Sequence, residues 1–186
     1  MRDHFDVDTA TGLIAPARRV TCTNHDARPD GATPELIVLH GISLPPGRFG
    51  GPQIEALFTN CLDWDAHPYF AEIRGLEVSA HLLIRRNGEL IQFVPFTERA
   101  WHAGESCFRG RERCNDFSIG IELEGHDDTP YDDRQYNVLA PVITAIQGAY
   151  APISNREIAA HSDIAPGRKT DPGPAFDWLR LYDALS

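Results

Sequence analysis

Three residues that together can hold a divalent cation sit at the ends of recognisable segments of this sequence. His40 closes the apolar run ELIVLH, His161 closes the run IAAH, and Asp171 follows within the stretch HSDIAPGRKTDPGP. Two imidazoles and one carboxylate are the ligand count of a catalytic zinc site whose fourth position stays open to water. Imidazole and carboxylate without thiolate suit a borderline hydrolytic ion, so zinc is the expected metal. Ordinary readings stand beside this one. An isolated histidine is more often a hydrogen-bonded structural residue, Asp171 before Pro172 has the chemistry of a turn residue, and Lys169 that of a solvated surface charge.

Such groups converge only if the elements around them deliver them to one place. ELIVLH is β-branched and apolar after a Pro/Asp/Gly-rich stretch, which predicts a buried strand ending at His40. GISLPPGRFGGP must be loop, and residues 53–62 have helical spacing behind Pro52. SAHLLIRR and LIQFVPF are strand-like runs around Asn87-Gly88, a hairpin signal that predicts antiparallel pairing. DFSIGIELEG alternates Phe117, Ile119, Ile121 and Leu123 against Ser118, Gly120, Glu122 and Glu124, so both glutamates point the same way, on a face whose default environment is solvent. Residues 132–150 carry a helical apolar face despite Pro141. IAAH is a second short strand ending at a histidine, and ligand sites in α/β sheets lie beyond strand ends. HSDIAPGRKTDPGP has no helical or strand period and two Pro-Gly steps, so it reads as a loop stiffened by Pro166, Pro172 and Pro174. Residues 175–185 predict a closing amphipathic helix. Strands interleaved with helices and one hairpin predict a mixed sheet flanked by helices, an α/β fold in one domain over residues 1–186.

Composition narrows the function classes. With 186 residues, 42% hydrophobic and 24% charged, the chain can bury an ordinary globular core. A net charge of −10, with no Lys/Arg cluster beyond pairs such as Arg85-Arg86, argues against nucleic acid and against an anionic membrane surface. The first thirty residues lack the apolar core of a secretory signal, and no stretch is long enough to cross a bilayer, so the expected location is the cytoplasm. Cys22, Cys61, Cys107 and Cys114 are dispersed without a C-x-x-C, which suits reduced thiols.

Six blocks carry a specific likeness: VLHGISLPPGRFGG, AHPYF, SAHLLIRRNGELIQFVPF, RAWHAG, GRERCNDFSIGIELEG and HSDIAPGRKTDPGPAFDW. In this order, within residues 13–180, they resemble the zinc-dependent N-acetylmuramoyl-L-alanine amidases of the AmpD type, within the wider peptidoglycan-recognition superfamily. The resemblance implies a cytoplasmic enzyme of cell-wall recycling that cleaves soluble 1,6-anhydro-muropeptides between the muramic acid and L-alanine. It implies that His40, His161 and Asp171 are the zinc ligands and that Glu122 and Lys169 are catalytic, as general base and acid and as oxyanion stabiliser. In that setting Trp101 and His102 are candidates for a sugar-binding groove, with core filling the other reading of Trp101. Arg113 is a candidate partner of a stem-peptide carboxylate, or a surface arginine without one. The pattern departs at Gly41, where the family has asparagine (H-N-I-S), so a polar contact to the sugar is either missing or supplied elsewhere. Two other readings stay open: an amidase of the same fold acting on intact peptidoglycan, and a non-catalytic muropeptide-binding module.

Overall fold

The computed structural model describes residues 4–186. In chain order the elements are β1 (Asp6–Asp8), β2 (Leu13–Ala15), β3 (Arg18–Arg19), β4 (His25–Ala27), β5 (Leu36–Ile42), α1 (Gln53–Phe58), α2 (Pro68–Glu72), β6 (Leu82–Ile84) and β7 (Leu90–Gln92). They continue with β8 (Glu98–Ala100), β9 (Cys107–Phe108), β10 (Arg111–Glu112), β11 (Ser118–Glu124), α3 (Asp133–Ala149), β12 (Ile158–Ala160), the single turn α4 (His161–Ile164) and α5 (Trp178–Ala184). Six strands form one sheet in the order β12-β5-β11-β6-β7-β3. β12, β5, β11 and β6 run parallel, and β7 returns antiparallel from β6 across the Asn87-Gly88 turn. This is the predicted mixed sheet with its predicted hairpin.

Parallel strands are covered on both faces, which is why β5 through His40 and the whole of β11 are buried. On one face Ile37, Leu39, Ile119, Ile121, Leu123, Leu82 and Ile84 pack against Leu139, Val142, Ile143 and Ile146 of α3. The helix begins at a capping box in which the Asp132 side chain accepts from the first turn and Gln135 reaches back to the Asp132 backbone. Gln135 also donates to the carbonyls of Ile84 and Glu124, both at 3.1 Å, tying α3 to the ends of two strands. Ile121 is fully buried in this layer. Ile121→Ala is expected to lower unfolding free energy by about 2–5 kcal/mol, read as a shifted urea midpoint at unchanged slope.

The opposite face carries two smaller clusters. Ile54, Leu57, Phe58 and Phe70 of α1 and α2 pack with Leu83, Ile91 and Phe93. Leu36 and Val38 pack with Ala103, Cys114, Phe117, Ala159 and Ile164. Between these clusters the polar side of β11 emerges, and there the structure departs from the solvent-facing expectation: all seven residues of β11 are buried.

The hairpin strands are shorter than the runs SAHLLIRR and LIQFVPF, at Leu82–Ile84 and Leu90–Gln92, and four further boundaries differ from the sequence reading, each for a local reason. β5 runs two residues beyond His40, because Gly41 and Ile42 stay in register with Leu123 and Glu124. α1 stops at Phe58 instead of reaching Leu62, because Asn60 turns to φ 59°. The loop after His161 opens with one helical turn, held where Asp163 accepts from the Ala160 N–H at 2.9 Å. α5 starts at Trp178, because Ala175 donates to the Asp127 carbonyl and Phe176 to that of Gly173, and Asp177 caps the helix. All four cysteines are free thiols. Among the described residues no helix is long and apolar enough to cross a membrane.

Candidate metal centre and active site

Register across the parallel strands builds the site. His40 on β5 lies opposite Glu122 on β11, so both side chains project from the same face toward the C-terminal ends of the strands. β12 pairs with the other edge of β5 and delivers His161 one residue past its end. The loop that follows brings Asp171 back to the same point, with Ser162 N–H donating to the Asp171 carbonyl at 3.1 Å. His40, His161 and Asp171 are the one group of three or more potential ligands among the described residues.

The distances are those of three acceptors around a point. His40 Nδ1 and His161 Nδ1 are 2.9 Å apart, and Asp171 Oδ2 lies 3.3 Å from the first and 3.1 Å from the second. The outer nitrogens are engaged elsewhere: His161 Nε2 meets the Ala103 carbonyl at 3.2 Å, and His40 Nε2 meets His102 Nδ1 at 2.8 Å. A carbonyl only accepts, so His161 Nε2 carries a proton, and in the Nε2–H tautomer Nδ1 turns a lone pair toward Asp171. Burial draws His40 down to about 4, which keeps that ring neutral. Two imidazole nitrogens and a carboxylate oxygen directed at one another repel unless a cation lies between them, so the donor set fits a divalent metal.

These ligands line a cavity of about 280 Å³ together with Glu122, Lys169, His102, Ser43, Tyr69 and Asp127. Glu122 and Glu124 share a face of β11 but have opposite fates. Glu124 is consumed by structure: Gly50 N–H donates to its Oε1 at 2.6 Å, Arg86 N–H to its Oε2 at 3.1 Å, and Arg85 approaches at 3.4 Å. Glu122 Oε2 is buried with no hydrogen-bond partner among the described residues. Burial pushes the Glu122 carboxyl well above the usual carboxylate range and the charge of Asp171 pushes the same way, against the pull of Lys169. A buried carboxyl group whose protonated form is favoured over that of an exposed carboxylate suits proton transfer.

The remaining candidates are placed differently. His102 lines the cavity but stands in contact with His40. Trp101 is not among the cavity residues; its indole N–H donates to Asp26 at 3.2 Å, on the exposed β4–β8 ribbon. Arg113 lies outside the cavity too, in a separate depression beside Glu105 and Arg168, paired with Asp116 at 3.2 Å. The structure thus brings together five of the eight residues with His102, and leaves Trp101 and Arg113 apart.

Tyr131 is the residue that sequence reasoning missed. Its hydroxyl donates to the Pro172 carbonyl at 2.9 Å, immediately after Asp171. A Cβ built on Gly41 would collide with that hydroxyl, and one built on Gly125 with the ring. The space an asparagine would claim at position 41 is therefore taken by tyrosine. The one available signal was the departure at Gly41 itself, and it names no partner.

Comparisons with known proteins agree on one kind of relative. Residues 30–174 match the family model described as N-acetylmuramoyl-L-alanine amidase. The chain is 61% identical over 175 residues, 94% of this chain and 95% of the other, to 1,6-anhydro-N-acetylmuramyl-L-alanine amidase AmpD of Escherichia coli strain K12. It is 59% identical, with 94% and 93% covered, to the protein of the same name from Enterobacter cloacae. The crystal structure of a selenomethionine AmpD derivative superposes with a TM-score of 0.93 at 57% identity, covering 97% of this chain and 99% of that one.

Proposed function

From the premise that this chain belongs to the N-acetylmuramoyl-L-alanine amidase family, we propose that it hydrolyses the amide between 1,6-anhydro-N-acetylmuramic acid and L-alanine, using zinc held by His40, His161 and Asp171. The observation that carries this reading is the convergence of three lone-pair donors beside a buried carboxyl group whose Oε2 has no partner among the described residues. A pure binding module has no use for such a carboxyl, whose burial is costly without compensation.

When bound, zinc polarises a carbonyl and lowers the pKa of water from about 15.7 to about 7. Glu122 accepts a proton from the attacking water at its free oxygen and returns it to the departing alanine nitrogen, a double duty that its raised pKa permits. Lys169, two residues before Asp171 and on the cavity wall, places its ammonium charge where the carbonyl oxygen becomes negative. Glu124 stabilises the loop that includes Gly50, and Tyr131 sets the backbone beyond Asp171. The substrate class follows the names of the relatives, and the reading extends to recycling of soluble cell-wall fragments in the cytoplasm.

One experiment tests both halves. The zinc-loaded protein is assayed on a soluble anhydro-muropeptide and on intact sacculi at matched bond concentration, before and after treatment with a strong chelator. Release from the soluble substrate is expected to be far faster, to vanish on chelation and to return with added Zn²⁺. The circular dichroism spectrum should persist throughout, because the apolar clusters lie on the sheet faces and do not depend on the ligands. Equal rates on both substrates would exclude the recycling role, and unfolding on chelation would make the metal structural.

A further inference from the structure

Behind His40 runs a chain of buried polar groups whose hydrogen positions are forced from its far end. The Ser118 hydroxyl lies 2.6 Å from the Cys114 carbonyl, 3.1 Å from His102 Nε2, and is fully buried. Two oxygens that close repel unless a hydrogen lies between them, and a carbonyl supplies none, so the Ser118 proton points to Cys114. The Ser118 oxygen must then accept from His102, which fixes the His102 proton on Nε2. His102 Nδ1 is left as an acceptor 2.8 Å from His40 Nε2, so His40 carries its own proton there. His40 Nδ1 is thereby left with its lone pair directed at His161 and Asp171.

The backbone around His102 is built for this. Asn115 Oδ1 accepts from both His102 N–H, at 3.1 Å, and Ala103 N–H, at 2.8 Å, which pins the peptide that also presents the Ala103 carbonyl to His161. Gly120 opposes the ring: a Cβ there would lie 2.6 Å from His102 Nδ1, so any side chain at this point of β11 would displace the histidine.

We propose that Ser118 and His102 are positioning residues that preset the His40 tautomer, so that His40 presents Nδ1 to the metal before any metal arrives, while the Ala103 carbonyl does the same for His161. This deepens the metal reading above and rests on it for its purpose, but the hydrogen-bond chain stands on the protein alone. Partners that orient a ligating histidine typically contribute about 10- to 100-fold in metal affinity.

The test is made on metal-free protein labelled with ¹⁵N, in which long-range ¹H–¹⁵N spectra of the histidine rings report the tautomer directly. His40, His102 and His161 are expected as Nε2–H tautomers. Ser118→Ala removes the acceptor that holds the chain, so His102 should become a tautomer mixture and Zn²⁺ affinity, measured by competition with a chromophoric chelator, should fall about 10- to 100-fold. A role in packing alone would move neither the tautomer nor the affinity at constant fold. An Nδ1–H proton on His40 or His102 in the parent protein overturns the proposal, as does unchanged zinc affinity in a folded Ser118→Ala protein. Absence of zinc binding by a parent protein with all three expected tautomers would overturn the metal reading instead and leave the chain supported.

Discussion

Glu122→Gln is expected to retain one zinc per chain and to lose turnover by about 10²- to 10⁴-fold, the usual contribution of a positioned general base. Glutamine keeps the shape of the side chain and cannot take a proton from water. The Oε2 of the carboxyl has no partner among the described residues that the change would strand. Removing a buried ionisable group that the fold does not use should leave stability unchanged or raised. Zinc content by elemental analysis and kcat on a soluble anhydro-muropeptide decide the matter together. Loss of metal, or near-normal turnover, would refute the division between Glu122 as proton carrier and the three ligands.

Asp171→Ala is expected to fail in the complementary way, with zinc content and activity falling together to the level of the chelated parent. It removes the one carboxylate of the three candidate ligands, and with it the charge that would offset a bound cation. The protein should remain folded, because the Pro172 carbonyl still receives the Tyr131 hydroxyl and Ser162 still donates to the main chain of residue 171. Adding Zn²⁺ at concentrations that saturate the parent should recover little activity. Parent-like kcat at ordinary zinc concentration would mean that the two histidines hold the metal with a different third group, and the assignment of Asp171 would fall.

Much of the architecture was legible before any coordinates. The alternation in residues 117–124, the Asn87-Gly88 turn and the apolar spacing from Tyr136 to Ile146 are local signals, and each produced its element where expected. Boundaries were less legible because they depend on partners. β5 outruns His40 since β11 pairs with it to the end, and the turn after His161 forms because Asp163 reaches back to Ala160. Neither partner is visible in the segment concerned.

The candidate site divides along the same line. The sequence by itself determined the residue types on offer, the strands that end near His40 and His161, and the pairing of Glu122 with Glu124 on one face, because periodicity is a property of the local backbone. Only the tertiary structure decided that histidines 121 positions apart come within 2.9 Å, because strand order in the sheet sets that proximity. It decided that Glu122 and not Glu124 lines the cavity, since Gly50 and Arg85 engage the carboxylate of one while Oε2 of the other has no partner among the described residues. It also set His102 against His40, with Ser118 beneath it and no side chain at Gly120 opposite, the arrangement on which the proposed positioning role rests. Hydrogen-bond direction is a property of a closed network of donors and acceptors, and that network exists only once the chain has folded.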